Sequence, residues 1–291
     1  MLNFWRPLGS SIGVSAIAAA LGLLFILGAI VMGTHSLIAF FSVEGLVIVV
    51  GGVIAVAFMS FEAEDVRRAL GAIAAAFRKP DGAAQEDLRK DMMEIIAWAY
   101  LVKEKGMRRL EASLSKRGVA DPFVKYGLNM VISEYSPEEV RAMMETAADA
   151  CHDRDSVPVE VLQTMTSHAP AFGMIGTLVG MVTMLCSLNE NVSSIGASLS
   201  VAFLSTLYGV VSARLVYMPA AAKLRQVIAR RRFRNQLVTE GMVMLVSEKS
   251  PSYVKDRLNS FLRPEHHDYL DQFGAEPEGQ LEPPRLRIVG A

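Results

Sequence analysis

Long uncharged stretches alternate with charged ones along the chain. From Pro7 to Phe61 the only charged residue is Glu44. No charged residue occurs from Val161 to Asn189, and none occurs from Asn191 to Ala213. Because a helix needs about 20 apolar residues to cross the hydrocarbon core of a bilayer, these stretches are long enough to span a membrane.

The pattern predicts four transmembrane helices in two hairpins. They cover about Ser11–Gly33, Leu37–Ser60, Ala169–Leu188 and Ile195–Met218. A cleaved signal peptide is the alternative for the first helix, with Arg6 as its basic end. The apolar core of a signal peptide usually runs only about 7–15 residues, so we predict a retained helix.

The distribution of Lys and Arg predicts the orientation of these helices. Residues 62–167 carry fifteen of these cations and residues 219–291 carry twelve, whereas the turns 34–36 and 189–194 carry none. Short loops on the cytoplasmic side are enriched in Lys and Arg. We therefore predict that both termini and the long middle segment are cytoplasmic.

The segments outside the membrane have the pattern of helices. One apolar stripe recurs at steps of three and four residues: Leu88, Met92, Ile95, Ile96, Ala99 and Val102. Ser136-Pro137 and Ser250-Pro251 each have the form of a helix start, and Glu139 completes a capping box with Ser136. No stretch alternates with a period of two residues, so no sheet is predicted.

The predicted fold is an all-α integral membrane protein with a helical cytoplasmic domain between the second and third spans. Its parts are an N-terminal transmembrane hairpin (1–61), the cytoplasmic helical domain (62–167), a second hairpin (168–219), a cytoplasmic helical extension (220–262) and a flexible tail (263–291). The tail is rich in Pro, Gly and acidic residues without periodicity.

Composition excludes several classes of function. The net charge of -1 argues against nucleic-acid binding through a global basic field. Two cysteines are too few for a disulfide scaffold or a zinc site. The sequence contains no phosphate-binding loop, zinc-protease motif or nucleophile elbow, so no catalytic residue, metal site or cofactor is predicted. The pair His266-His267, in a Pro-flanked tail, is interpreted as solvated.

Two helix faces carry the candidate chemistry. In the third span, Pro170, Gly173, Thr177, Gly180 and Met184 share one side, and Gly176 and Gly180 form a GxxxG packing motif. In the fourth span a small, hydroxyl-bearing stripe includes Ser198, Ala202, Ser205, Gly209 and Ser212, with Thr206 beside it. These faces fit either tight helix packing or the wall of an ion path.

No acidic residue lies in the middle of any predicted span. Glu44 is near the outer end of the second span, and Glu190 is in an outer turn. Coupled ion movement usually needs a titratable group inside the membrane. If the chain moves ions, we expect a partner subunit to supply the carboxylate.

Three sequence stretches resemble the MotA/PomA family, the A subunit of the bacterial flagellar stator. They are APAFGMIGTLVGMVTML (169–185), ASLSVAFLSTLYGVVSARLVYMPAAAKL (197–224) and VIVVGGVIAVAFMSF (47–61). The resemblance covers about residues 10–262. It implies a ring of A subunits in the inner membrane, expected to be a pentamer, around single-span MotB/PomB-type subunits that carry an ion-accepting Asp. Ion flow, of sodium or protons, would turn the ring against the rotor switch protein of the C-ring.

The resemblance also implies roles for individual residues. Pro170 and Pro219 match two prolines implicated in coupling ion flow to torque, and Thr206 matches the hydroxyl residue beside the partner's Asp. Thr177 matches a position that tends to be Thr in sodium-driven members, which favours sodium. A mid-helix Thr can instead bond to the carbonyl one turn back, so the proton also remains open. Gly173, Gly176, Gly180 and Gly209 are assigned to helix packing.

The segment LVKEKGMRRLEASL (101–114) is similar to the family's charged rotor-contacting helix. Lys103 falls on a basic position and Glu111 on an acidic one, and Arg108 and Arg109 are further candidates for the rotor contact. The chain departs from the family at Ala112, where a second acidic residue is expected, and at SVEG (42–45), where an Asp-Pro-Pro-like start is usual.

Two other readings compete with a stator subunit. ExbB/TolQ-type energy transducers share the two core helices, but they typically have three spans and an external N-terminus. A purely structural membrane protein would not explain why the hydroxyl and proline positions coincide with those of the family. The basic run Arg230–Arg234 fits contact with anionic membrane lipid, contact with a neighbouring subunit or a solvated helix face equally well.

Overall fold

The computed structural model describes residues 22, 24, 25, 28, 32, 40–76, 83–117, 119–186 and 192–261. No β-strand occurs among them, as predicted. The helices in this part of the chain are α1 (Val43–Ser60), α2 (Ala63–Ala76), α3 (Ala83–Lys105), α4 (Met107–Arg117), α5 (Pro122–Ile132), α6 (Pro137–Cys186), α7 (Val192–Val211), α8 (Met218–Val246) and α9 (Pro251–Asn259). The all-α prediction is confirmed.

Three helical stretches in the described residues are long and apolar enough to cross a membrane. They are Val43–Ser60, Pro137–Cys186 and Ile195–Val246, and they contain the described parts of the predicted second, third and fourth spans. The predicted first span, Ser11–Gly33, lies outside the described residues except for isolated positions. The outer turn at 189–194 and the tail at 263–291 also lie largely or wholly outside them.

The two helices that contain the predicted second hairpin continue far beyond it. Helix α6 begins at Pro137, about thirty residues before the predicted third span, and runs through Pro158 and Pro170. Helix α7 passes through a π-helical stretch, Ser212–Tyr217, into α8. The helical extension predicted from residue 220 therefore begins within α8, which continues from α7 through this stretch. A proline in a helix can be tolerated where neighbouring helices and polar side chains compensate for the lost hydrogen bond.

The chain forms two compact units. Unit 1 contains residues Met1–Gly82 and Asp153–Ala229, and unit 2 contains Ala83–His152 and Arg230–Ala291. The core of unit 1 packs Val53 and Ala57 of α1 against Leu162 and Met165 of α6, together with residues that follow α7. Helix α1 also has a π-helical stretch, Val47–Gly51, and it starts at a cap formed by Ser42.

Unit 2 has its own apolar core, built on the predicted stripe of α3. Met92, Ile95, Ala99 and Val102 are buried, and Leu88 and Ile96 pack at its edge. The expected capping box is present, because the Ser136 N–H donates to Glu139 Oε2 at 2.9 Å and the Glu139 N–H donates to Ser136 Oγ at 3.3 Å. These two predictions are confirmed.

Unit 2 uses one turn sequence twice. Met-Val-Ile-Ser-Glu-Tyr-Ser-Pro ends α5 and starts α6 (130–137), and Met-Leu-Val-Ser-Glu-Lys-Ser-Pro ends α8 and starts α9 (244–251). In both turns the Glu has a positive φ, 58° at Glu134 and 49° at Glu248. The next residue donates to the Met carbonyl in each case, at 3.3 and 3.1 Å. The two connections are therefore equivalent in sequence and in hydrogen bonding.

Candidate functional site

Helices α6 and α7 approach each other closely along the two predicted faces. A Cβ atom added to Gly176 would lie 2.4 Å from the Ser205 side chain, and one added to Gly180 would lie 2.7 Å from the Ala202 nitrogen. At Gly209 it would lie 2.5 Å from the Ala169 carbonyl oxygen. At Gly173 it would lie 3.0 Å from the Ser205 carbonyl oxygen and Thr206 Cα. The absence of side chains at these glycines lets hydroxyl groups of one helix reach the backbone of the other.

This approach creates a hydroxyl cluster, which consists of Thr177, Ser205, Thr206 and the carbonyl groups of Gly173 and Ala202. The Oγ1 atoms of Thr177 and Thr206 are 2.5 Å apart. Thr206 Oγ1 donates to the Gly173 carbonyl at 3.2 Å, and Ser205 Oγ donates to the Ala202 carbonyl at 2.9 Å. The structure thus brings together the two hydroxyl residues assigned to the ion path.

The Thr177 hydroxyl contacts a carbonyl of its own helix and a carbonyl of the neighbouring helix. Its hydroxyl lies 3.1 Å from the Gly173 carbonyl one turn back and 3.2 Å from the Ala202 carbonyl of α7. A hydroxyl has one hydrogen and two lone pairs, and a carbonyl adds two further lone pairs. Acceptors therefore outnumber donors in the cluster, which suits it to bind a cation or a water molecule.

The hydroxyl cluster is exposed at Thr206 and buried at Ser205. Ser205 is fully buried between the helices, Thr177 is half-buried, and Thr206 is exposed. No charged side chain occurs in α6 from Val161 to Cys186, nor in α7. The site therefore offers neutral oxygen atoms and an open face without a negative charge of its own.

Tyr208 ties the start of α1 to α7 and was not among the predicted site residues. Its hydroxyl donates to the Phe40 carbonyl at 2.6 Å and accepts from the Ser42 N–H at 2.9 Å. The Ser42 hydroxyl also lies 3.2 Å from Glu44 Oε2, which gives Glu44 a local partner. The partners of Tyr208 are more than 160 residues away in sequence, so no local pattern indicates them.

The two prolines assigned to coupling lie on either side of the cluster in sequence. Pro170 is inside α6, seven residues before Thr177. Pro219 is in the first turn of α8, directly after the π-helical stretch Ser212–Tyr217. A proline lacks the N–H that would bond to the carbonyl four residues earlier, so each marks a local irregularity in its helix.

The four residues assigned to the rotor contact are exposed, but they do not share one helix. Lys103 lies in the last turn of α3, whereas Arg108, Arg109 and Glu111 lie on α4. The prediction of a single charged helix over 101–114 was wrong. The helix ends because Gly106 adopts a φ of +75°, a left-handed conformation that glycine tolerates and that other residues rarely adopt.

A charged site in unit 2 involves one arginine of the basic run. Arg234 of α8 makes a two-pronged ion pair with Asp91 of α3, including an Nη2–Oδ1 distance of 2.8 Å, and its Nη1 bonds to Asp121. Asp121 also caps α5 by accepting from the Phe123 N–H at 2.8 Å. We call Arg234, Asp91 and Asp121 the arginine clasp.

The arginine clasp shifts the pKa of the carboxyl groups around it. Burial would raise the pKa of Asp121, but the hydrogen bond and charge of Arg234 and two backbone N–H groups hold it below its usual range. Burial and the neighbouring Asp91 raise the pKa of Glu94. Arg232, by contrast, pairs with Asp149 at 2.9 Å on the surface. The basic run therefore contains at least two cations with partners inside unit 2.

No group of three or more His, Cys, Asp or Glu residues in the described part of the chain could hold a metal ion. His266 and His267 lie outside the described residues.

Comparison with known proteins identifies the family. Residues 115–237 match the MotA/TolQ/ExbB proton channel family. Motility protein A of Aquifex aeolicus is 31% identical over 249 residues, covering 85% of this chain and 93% of that protein. The chemotaxis protein PomA of Vibrio alginolyticus is 30% identical over 243 residues, covering 82% and 92%.

The fold is similar to that of a solved assembly. The structure of the flagellar MotAB stator complex from Bacillus subtilis superimposes with a TM-score of 0.74 at 24% identity, covering 89% of this chain and 99% of that chain. Together with relatives of at least 30% identity that align over more than four fifths of the sequence, these findings show that the chain belongs to the MotA/TolQ/ExbB proton channel family.

Proposed function

We propose that the chain is the A subunit of a flagellar stator, which converts ion flow across the membrane into torque on the rotor. The full-length relatives named motility protein A and PomA support this function. The alternative of an ExbB/TolQ-type transducer is not favoured, because these two relatives align over more than four fifths of the chain and are named as motility and chemotaxis proteins.

The contact between Thr177 and Thr206 carries this proposal. Their Oγ1 atoms lie 2.5 Å apart at the point where two apolar helices meet, and Thr206 is exposed. Two hydroxyl groups, backed by the carbonyls of Gly173 and Ala202, can replace part of the hydration shell of an ion. Helix packing alone does not require an exposed hydroxyl on this face.

The cluster needs a negative charge that the chain does not place there. We infer that a single-span MotB/PomB-type partner supplies an Asp facing Thr206. A cation would then lie between that carboxylate and the neutral oxygens of the cluster, where the low dielectric strengthens the attraction. The solved MotAB complex with the same fold is consistent with such a partner.

The coupling ion is proposed to be sodium. Sodium needs several oxygen ligands, and the cluster offers hydroxyl and carbonyl oxygens within about one coordination shell. The hydrogen bond from the Thr177 hydroxyl to the Gly173 carbonyl, at 3.1 Å, is also compatible with proton coupling. The experiment described below therefore tests both ions.

Torque would be transmitted to the rotor through unit 2. We propose that Pro170 and Pro219 are the positions where α6 and α8 bend during the ion cycle. Lys103, Arg108, Arg109 and Glu111 would contact the switch protein of the C-ring, since exposed ion pairs are weak and can form and break repeatedly. The proposed assembly is a ring of A subunits, a pentamer, in the inner membrane, with both termini in the cytoplasm and lipid around it.

The test is ion flux into vesicles that contain the purified chain alone or its complex with the single-span partner. A membrane potential drives the flux, and sodium and pH indicators report the two ions separately. The proposal predicts no flux from the chain alone and a measurable flux from the complex. Flux through the chain alone, or none through a complex that has assembled, would contradict it.

A further inference from the structure

The face of α6 that carries Thr177 continues toward the N-terminal end of the helix, beyond Pro170. Thr166, Pro170, Gly173 and Thr177 follow one another at steps of four, three and four residues, which places them on one side of a helix. Gln163 lies a further three residues back. We call Thr166 and Gln163, together with the Thr166 carbonyl, the inner stripe.

The inner stripe contains a carbonyl group without its usual donor. In a regular α-helix the N–H of residue 170 would bond to the carbonyl of residue 166, but Pro170 has no N–H. The Thr166 hydroxyl donates to the Leu162 carbonyl at 2.7 Å, so its oxygen keeps its lone pairs for another ligand. Two oxygen atoms of Thr166 are therefore able to accept.

The inner stripe borders the apolar core of unit 1. Leu162, Met165 and Ala169, which flank it on α6, have relative exposures of 0–1%. Thr166 is half-buried and Gln163 is exposed. The polar residues thus follow the same open side of the helix as the hydroxyl cluster.

The distance between the two sites suits a stepwise path. Eleven residues separate Thr166 from Thr177, which is about 16 Å along a helix. An ion that leaves the hydroxyl cluster needs oxygen ligands or ordered water over this distance, because binding at several weak sites permits conduction. Gln163 adds an amide oxygen at the inner end of this path.

We propose that the inner stripe is a second station for the permeating monovalent cation, inward of the hydroxyl cluster. The cation is solvated there in turn by the Thr166 carbonyl oxygen, the Thr166 hydroxyl oxygen and the Gln163 amide oxygen, which follow one another along the helix, with water completing its shell. This inference rests on the proposed function, since it presumes that ions pass the hydroxyl cluster. On this inference, the neutral oxygen atoms on the N-terminal side of Pro170 take part in releasing the ion.

The test measures sodium and proton flux in vesicles that contain the complex of the full chain with its single-span partner. The variants are Thr166→Val, Gln163→Leu and the two together. Thr164→Val is the matched control, because Thr164 is also half-buried in α6 but lies away from the stripe. Copurification with the partner and thermal unfolding establish that each complex has assembled.

The inference predicts that flux falls about tenfold in the double variant, as expected for the loss of well-placed polar ligands, and changes less than about twofold in the control. Gln163→Leu alters only an exposed side chain and should reduce flux in a correctly assembled complex. Wild-type flux in both Gln163→Leu and Thr166→Val would overturn the inference. A wild-type complex that conducts neither ion would instead overturn the proposed function.

Discussion

The two units of the chain use polar side chains in opposite ways. In unit 1 the hydroxyl cluster is neutral, and its oxygen atoms bond to backbone carbonyls between apolar helices. In unit 2 the arginine clasp places full charges next to each other at the edge of a core. Buried charges are costly unless they are paired, whereas hydroxyls can be satisfied by a carbonyl one turn away.

This difference supports the proposal that another subunit supplies the negative charge for the ion. The charges of the arginine clasp are compensated within unit 2. Unit 1 instead has an exposed hydroxyl beside an uncharged wall. A carboxylate from another subunit would fit this second arrangement, and this is why the ion path is proposed for unit 1.

Removing the central cation of the arginine clasp should have the largest effect on stability. Arg234→Ala leaves Asp91 and Asp121 without their cation, and we expect a loss of about 3 kcal/mol in the free energy of unfolding. Thermal unfolding of the detergent-solubilised protein measures it. Arg232→Ala is the control, because its exposed pair with Asp149 is expected to contribute less than about 1 kcal/mol. Equal losses in the two variants would show that the clasp has no special role.

Adding a methyl group at the helix contact of unit 1 should destabilise almost as much. A Cβ atom at residue 209 would lie 2.5 Å from the Ala169 carbonyl oxygen, so Gly209→Ala forces two backbones apart. We expect a cost of about 2 kcal/mol that does not depend on salt. Gly196→Ala is the control, since nothing lies within 4 Å of that position. An unchanged melting temperature for Gly209→Ala would contradict the close helix contact.

Acid should weaken unit 2 through Asp121. Because its pKa is lower in the folded state than in the unfolded chain, the ionised carboxylate stabilises the fold at neutral pH. This stabilisation begins to fade near the unfolded pKa of about 4 and is lost as the pH falls through the folded value. We therefore expect Asp121→Asn to cost about 1–2 kcal/mol at pH 7 and progressively less below about pH 4. A cost that stays constant with pH would contradict this account.

The repeated turn of unit 2 predicts two smaller and equal effects. Ser136 and Ser250 each accept a backbone N–H bond at the start of a helix, both at 3.3 Å. Replacing either serine by alanine should cost about 1 kcal/mol of stability. Chemical denaturation of both variants compares them directly. A large effect in one and none in the other would show that the two turns are not equivalent.

Local patterns predict much of the fold and part of the site. The stripe from Leu88 to Val102 and the Ser136 cap follow from periodicity and from side-chain chemistry within one turn. The ends of the helices are harder to predict from such patterns. The segment 101–114 resembles one helix of the family, but Gly106 divides it between α3 and α4.

Local sequence patterns did not predict the contacts between residues that are far apart in the chain. The partners of Arg234 lie 143 and 113 residues earlier in the chain, so the basic run gave no sign that one arginine turns inward. The contact of Thr177 with Thr206 is also distant in sequence, but the matching stripes of α6 and α7 and the resemblance to a family indicated both residues.

The most direct test of the central claim is ion flux through the assembled complex of Thr206→Val with the single-span partner. Thr183→Val is the control, because it removes an exposed hydroxyl of α6 that bonds to the carbonyl one turn back and lies outside the hydroxyl cluster. The account predicts that Thr206→Val lowers flux about tenfold or more while the control conducts like the wild type. Wild-type flux in an assembled Thr206→Val complex would contradict the assignment of the hydroxyl cluster to the ion path.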